Sequence, residues 1–179
     1  MPGNVPLRIL LDGIVSEENA ENWWRPELFE KNTRHQLPNS LVILERPPEE
    51  EKNYNCFVFA FELQDHTPLL GNKAWEYTKN LDVVVEAQIQ DKTLERLSTP
   101  VSGALVIYRT DSGVISHVGR ITDNGKIISK WSWGPLIEHA LYDVPASYGD
   151  TVEYYTNLGS GTGVILKDFS QKIDRKSVV

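Results

Sequence analysis

Cys56 is the only cysteine in the chain and opens the apolar run of Asn53 to Leu63, NYNCFVFAFEL. A thiol becomes a useful nucleophile when it ionises, and both the positive end of a helix and a neighbouring imidazole favour the thiolate. Unpaired cysteines are also among the most buried residue types, and most are inert packing residues. Among the four histidines, His117 alone sits in a clear strand pattern, flanked by Ile115, Val118 and Ile121. A sheet would hold it rigidly, as a general base must be held. His35 falls in a proline-rich segment and His66 in the loop sequence QDHTP. His139, beside Glu138 in LIEHALY, is a lesser candidate. The backbone N–H of Cys56, together with a side chain of Asn53, Tyr54 or Asn55, offers donors for the oxyanion formed in acyl transfer.

Other chemistries find less support. Structural zinc takes four ligands at recognisable spacings, and the spacing here supplies no such set, so no metal or other cofactor is expected. The glycine-rich GSGTG lacks the Lys-Ser/Thr ending of a phosphate-binding loop and reads as a linker. No G-x-S-x-G elbow is present. With 18 basic against 25 acidic residues the net charge is -7, which repels phosphate backbones and anionic membrane surfaces. Neither nucleic acid nor membrane is an expected partner. A lone cysteine forms no internal disulfide, the start MPGNVPLRILLDGIV lacks the pattern of a signal peptide, and no window approaches a span of about 20 apolar residues. A soluble, cytoplasmic protein is the expectation.

The elements that must position Cys56 and His117 fall into three parts. Residues 1–50 hold Pro2, Pro6, Pro26, Pro38, Pro47 and Pro48 and read as an extended arm packed on the body, anchored by Trp23 and Trp24. Within it, PELFEKN suits a short helix with proline in its first turn, and Asn39 to Leu44 suits a strand buried on both faces. Residues 51–158 form the core domain. Asn53 or Asn55 caps a buried helix that starts with Cys56, and residues 73–98 carry one or two helices. Gly103 to Thr110, Val114 to Thr122 and Lys126 to Trp133 then form a three-stranded meander, with a tight hairpin at Asp123-Asn124-Gly125. GPLIEHALYDVP suggests a short helix or loop, and Thr151 to Asn157 a fourth strand. Residues 159–179 form a tail in which GVILKDF suits an edge strand. Trp131 and Trp133 fall on one face of a strand and, with Tyr142 and Tyr148, make a core wall or a binding platform.

A cysteine opening a buried helix, followed by GALVIY, SHVGRI and NGKIISKW, resembles the papain-like cysteine peptidases and amidases of the NlpC-like branch. It also looks like a group of small bacterial proteins that share a Tyr-Asn-Cys helix start and a Ser-Lys-Trp strand. The resemblance covers Asn53 to Trp133. It implies an α+β, papain-like fold, in which a central antiparallel sheet packs against the helix that carries the cysteine at its N-terminus. It implies Cys56 as nucleophile, His117 as base and, at the position that orients the base, Ser129, where the family more often has a histidine or asparagine. Lys130, Glu138, His139 and Trp131 are lesser candidates around the site. Two further departures are Ala104 in place of an aspartate, and Asn55-Cys56-Phe57-Val58 in place of Asp-Cys-Ser-Gly. The function this implies is a cysteine-dependent hydrolase, a peptidase or amidase, or an acyltransferase acting on a peptide, amide or thioester. The alternative is a catalytically inactive papain-like module that binds a protein or peptide partner through its groove.

Overall fold

Leu105, Val106, Ile107 and Tyr108 are all completely buried, which requires cover on both faces of the strand that carries them. In the computed structural model, which describes residues 3–71, 80–156 and 168, that strand is β3 (Leu105–Arg109) of an antiparallel sheet. The others are β1 (Val42–Glu45), β2 (Arg96–Leu97), β4 (Ile115–Ile121), β5 (Ile127–Lys130), β6 (Leu136–His139) and β7 (Thr151–Tyr155), in the order β1-β6-β5-β4-β3-β7-β2. The fold is α+β. Consecutive strands β3 to β6 lie side by side as a meander, and the expected hairpin at Asp123 to Gly125 joins β4 to β5. There Gly125 adopts a φ of 75°, and the Asn124 side chain accepts from the Lys126 amide at 3.1 Å.

Each face of the sheet has its own helical cover. On the front, Leu105, Ile107, Val118 and Tyr155 pack beneath α4 (Cys56–Ala60) and α5 (Leu81–Gln90), which contribute Phe57, Val58, Ala60, Leu81 and Val85. On the back, Ala104, Val106, Tyr108, Ile121 and Ile127 meet Leu11, Ile14, Trp23 and Phe29. Leu11 and Ile14 come from α1 (Val5–Val15), Trp23 from α2 (Ala20–Trp24), and Phe29 from the π-helical turn Phe29–Thr33 that continues α3 (Pro26–Leu28). The N-terminal segment is therefore helical, not an extended arm. The helix expected at PELFEKN is present, with Pro26 in its first turn, whereas α1 escapes notice because its Pro6 also stands in a first turn, where a missing N–H costs nothing. Burying each large apolar side chain on this face contributes about 1.5–3 kcal/mol, so the segment completes the core.

Two side chains fasten it. Trp23 is 3% exposed and donates from its indole N–H to the Trp131 carbonyl at 2.9 Å, which makes it the anchor that its composition suggests. Arg8, fully buried, pairs with Asp150 at 2.5 Å and donates to the carbonyls of Gly149 at 2.7 Å and Val144 at 3.2 Å. The guanidinium thus pins the loop between β6 and β7 to α1.

Several expectations need correction. The segment around Val42 to Glu45 is an edge strand with mostly exposed residues, since β6 alone borders it. Leu136–His139 is a strand rather than a helix or loop, because β5 and β1 both offer it pairing partners. Of residues 73–98, α5 spans Leu81–Gln90 and Arg96–Leu97 pairs with β7; residues 73–79 lie outside the described residues. So do GVILKDF, except for Asp168, and the rest of the 159–179 tail. Trp131 and Trp133 do not share a strand face, because β5 stops at Lys130 and the chain turns at Ser132, φ 54°. Among the described residues no helix is long and apolar enough to cross a membrane.

Candidate active site

The helix that carries Cys56 is only five residues long, and its start is set by Asn55, whose side-chain oxygen accepts from the Phe57 and Val58 amides at 3.1 and 3.2 Å. Asn53 fastens the segment just before it. Its Nδ2 donates to the Trp133 carbonyl at 2.7 Å, while its Oδ1 accepts from the Tyr54 amide at 2.8 Å and from Lys130 Nζ at 3.2 Å. The loop entering α4 is thereby tied to the turn leaving β5.

At the end of the sheet where β4 begins and β5 stops, a cleft of about 290 Å³ is lined by Asn55, Cys56, Phe57, Asp82, Ile115, Ser116, His117, Ser132, Trp133 and Tyr148. Cys56 and His117 open into the same space. They reach it from different faces of the sheet. His117 pairs with Tyr108 and its ring lies 5.5 Å from the Tyr108 ring, on the back face, whereas α4 packs on the front over Val118. The pairing of β4 with β5 stops at Arg120–Ile128 although both strands continue.

The electrostatics differ from the expected thiolate. Burial pushes the Cys56 thiol up to about 11, outweighing the backbone N–H groups of Val118 and Phe57 and the charge of Lys130, which all act the other way. A helix of five residues has too few aligned peptides to offset that desolvation. Burial, with His139 adding to it, holds His117 well below 6.5. The resting pair is therefore a neutral thiol and a neutral imidazole.

His117 is 1% exposed and its Nε2 is buried without a hydrogen-bond partner. Ser129, the implied orienting residue, lies on the same face but is otherwise engaged. His139 Nδ1 donates to the Ala140 carbonyl at 2.8 Å, so its Nε2 is the acceptor for the Ser129 hydroxyl, also at 2.8 Å. Ser129 Oγ in turn accepts from the Trp131 indole at 3.1 Å. What holds the imidazole is Tyr148, whose ring stacks on it with centroids 4.0 Å apart and 18° between planes. The Tyr148 hydroxyl is buried and has no hydrogen-bond partner. Burial, followed by Cys56 and Asp12, pushes this phenol well above 10, so it stays a donor. Nothing local in the sequence distinguishes Tyr148 from Tyr142. The stack is a long-range contact made by the loop that Arg8 pins.

The remaining candidates divide clearly. Asn55 lines the cleft with Cys56, whereas Asn53 and Tyr54 are not among its lining residues. Tyr54 lies under the Lys130 ammonium, 5.0 Å from ring centroid to Nζ, and burial, with Glu45 adding to it, pushes its phenol up to about 12. Lys130 is itself buried, and desolvation pulls it down to about 7 against Glu45 and Cys56. Glu138 pairs with Val42 and Ile128 away from the cleft, and Trp131 fills the back-face core. Among the described residues no group of three or more His, Cys, Asp or Glu is placed to hold a metal.

A family model described as a domain of unknown function (DUF7689) matches residues 46–156, more than half of the chain. No curated protein and no solved structure matches it.

Proposed function

The chain belongs to the DUF7689 family, and on the geometry of its cleft we propose that it is a cysteine-dependent hydrolase or acyltransferase acting on an amide or thioester. The observation that carries this reading is that Cys56 and His117 line one cleft together with the free phenol of Tyr148. The order of elements, a cysteine at a helix start and a histidine on a following antiparallel strand, supports a papain-like arrangement of the NlpC-like kind. The single thiol and acidic charge suit a reducing cytosol.

From a neutral resting pair, the proton leaves the sulfur for His117 as the sulfur–carbon bond forms at the acyl carbon. The developing oxyanion accepts from the Tyr148 hydroxyl and the Cys56 backbone N–H. His117 passes its proton to the departing amine or thiol as the bond to the acyl carbon breaks. Water or an acceptor amine then attacks the thioester, gives its proton to His117, and the sulfur recovers that proton as it leaves.

The experiment is acetylation by p-nitrophenyl acetate, followed by intact mass and by release with hydroxylamine. Wild type acquires one adduct, Cys56→Ala none, and His117→Ala acquires it on the order of 100-fold more slowly. Equal rates for wild type and His117→Ala overturn the reading.

A second reading, a module that binds a peptide in the same cleft without catalysis, draws on a specific observation: the thiol is held up, the imidazole is held down, and Ser129 does not bond His117. Under it, Cys56→Ala retains whatever partner the wild type binds.

A further inference from the structure

Asp82, in the first turn of α5, lines the cleft of Cys56 and His117 and also a neighbouring hollow of about 370 Å³. Ile115 borders both spaces as well, so the two hollows adjoin along the Asp82 and Ile115 side chains as neighbouring parts of one grooved surface. The second hollow is bounded by Val83 and Val114, which are 63% and 52% exposed, together with Glu86, Ala87, Gln90 and the 112–113 turn.

The two carboxylates on this groove are in different states. Glu86 is neutralised by Arg109 at 2.7 Å, and the same guanidinium holds Glu153 at 2.6 Å. Asp82 Oδ1 is buried and takes no hydrogen bond. Asp82 as a whole is only partly buried and lines both hollows, so a cation seated there meets the accessible part of a carboxylate whose other oxygen has no donor, and a charge-assisted N–H bond is favoured. Among the described residues no Lys or Arg lines either hollow beside Asp82. The net charge of -7 also draws cations toward the molecule.

We propose that Asp82 is a recognition site for a cationic group, an amine or guanidinium, on the acyl donor that occupies this groove, with an apolar side chain seated beyond it between Val83 and Val114. This rests on the reading of Cys56 as an acyl-accepting nucleophile. The donor is accordingly a short extended peptide with a basic residue next to the acyl carbon and an apolar residue preceding it.

Because Cys56 is the only cysteine, charged thiol reagents report the field at this point alone. The probes are the trimethylammonioethyl, sulfonatoethyl and uncharged methyl methanethiosulfonates, used on the full chain. In wild type the cationic reagent modifies Cys56 about tenfold faster than the anionic one after correction by their rates on free thiol. Asp82→Asn lowers that ratio about fivefold, and Asp82→Glu preserves it. Glu62→Gln, an exposed residue paired with Arg120, removes the same unit of charge and leaves the ratio unchanged. Acetyl-Val-Arg-amide slows modification by the methyl reagent in wild type but not in Asp82→Asn, while acetyl-Val-Glu-amide does not slow it. An equal ratio in Asp82→Asn and Glu62→Gln, or equal protection by the two peptides, overturns the assignment. The acetylation experiment on His117→Ala fails independently: if it fails while the reagent ratio depends on Asp82, the groove binds cations without catalysis.

Discussion

The phenol ring of Tyr148 lies flat against the imidazole of His117, with centroids 4.0 Å apart, while the Ser129 hydroxyl bonds His139 instead. Tyr148→Phe keeps the ring and removes only the hydroxyl. Acetylation of Cys56 is expected to slow about 100-fold, while the His117 ring titration, followed by NMR, stays low. Tyr148→Ala hydrates the imidazole and moves its pKa up toward 6.5. A Phe variant that is acetylated at the wild-type rate removes the phenol from the oxyanion site.

Desolvation of the sulfur sets a distinct pH profile. An ordinary thiol reaches its alkylation plateau soon above 8.5, whereas burial holds Cys56 near 11. Iodoacetamide labelling of the folded chain is therefore expected to keep rising through pH 9.5. Lys130→Met removes a charge that favours the thiolate, so below pH 7, where Lys130 is charged, labelling slows further. A plateau reached below pH 8 contradicts the burial argument.

Buried neutral histidines make the fold sensitive to acid. Desolvation pulls His139 down to about 4, against an unfolded value near 6.5. The unfolded chain binds the proton first, so stability is complete above pH 6.5 and falls as pH drops toward 4, by about 3 kcal/mol from this residue. His117 is shifted in the same direction. Urea unfolding of wild type and His139→Gln across this window should show the smaller pH dependence in the variant. Parallel curves would place the acid sensitivity elsewhere.

Arg8 links the N-terminal helices to the cleft. It is fully buried and holds Asp150 and the Val144 and Gly149 carbonyls, while the neighbouring Asp12 accepts from the Ser147 amide at 2.9 Å. Arg8→Met leaves these acceptors without their donor and is expected to cost about 3–5 kcal/mol in urea unfolding. It also releases the Tyr148 loop, so the His117 titration rises in the fraction that stays folded. An unchanged unfolding midpoint would refute the role of this contact.

The parts of this molecule that were legible in the sequence are those decided by local chemistry. Asn124-Gly125 dictates a tight turn whatever surrounds it, and the β-branched runs on either side pair as expected. Asn55 is recognisable as a cap because its side chain acts on residues two and three positions away. Pro26 marks the start of a short helix in the sequence as in the structure, whereas α1 is obscured by Pro6, which a first turn accepts, and β6 by a run too short to show a period. Lys130, a lesser candidate on sequence, is buried among Asn53, Tyr54 and Gly134, which no local pattern announces. The stack of Tyr148 on His117 and the protonated state of Cys56 arise from tertiary burial, which no local pattern encodes.

Gly134 and Trp23 provide a direct test of how the N-terminal helices are docked. A β-carbon at Gly134 would lie 2.0 Å from Trp23 Nε1 and 2.3 Å from Cε2, so the glycine exists to let the indole lie on the turn after β5. Gly134→Ala is expected to destabilise by several kcal/mol, because an indole wedged between Phe29 and Trp131, at centroid distances of 5.7 and 6.1 Å, has nowhere to retreat. Trp23→Ala loses the same contact from the other side, at about 3–5 kcal/mol. The double variant removes the clash, since the alanine methyl then occupies part of the space left by the indole. Its destabilisation should fall short of the sum of the two single changes by 1 kcal/mol or more, about the coupling expected of residues in direct contact. Strict additivity in urea unfolding would mean that the indole is not held against this turn, and that the back-face helices dock by some other contact.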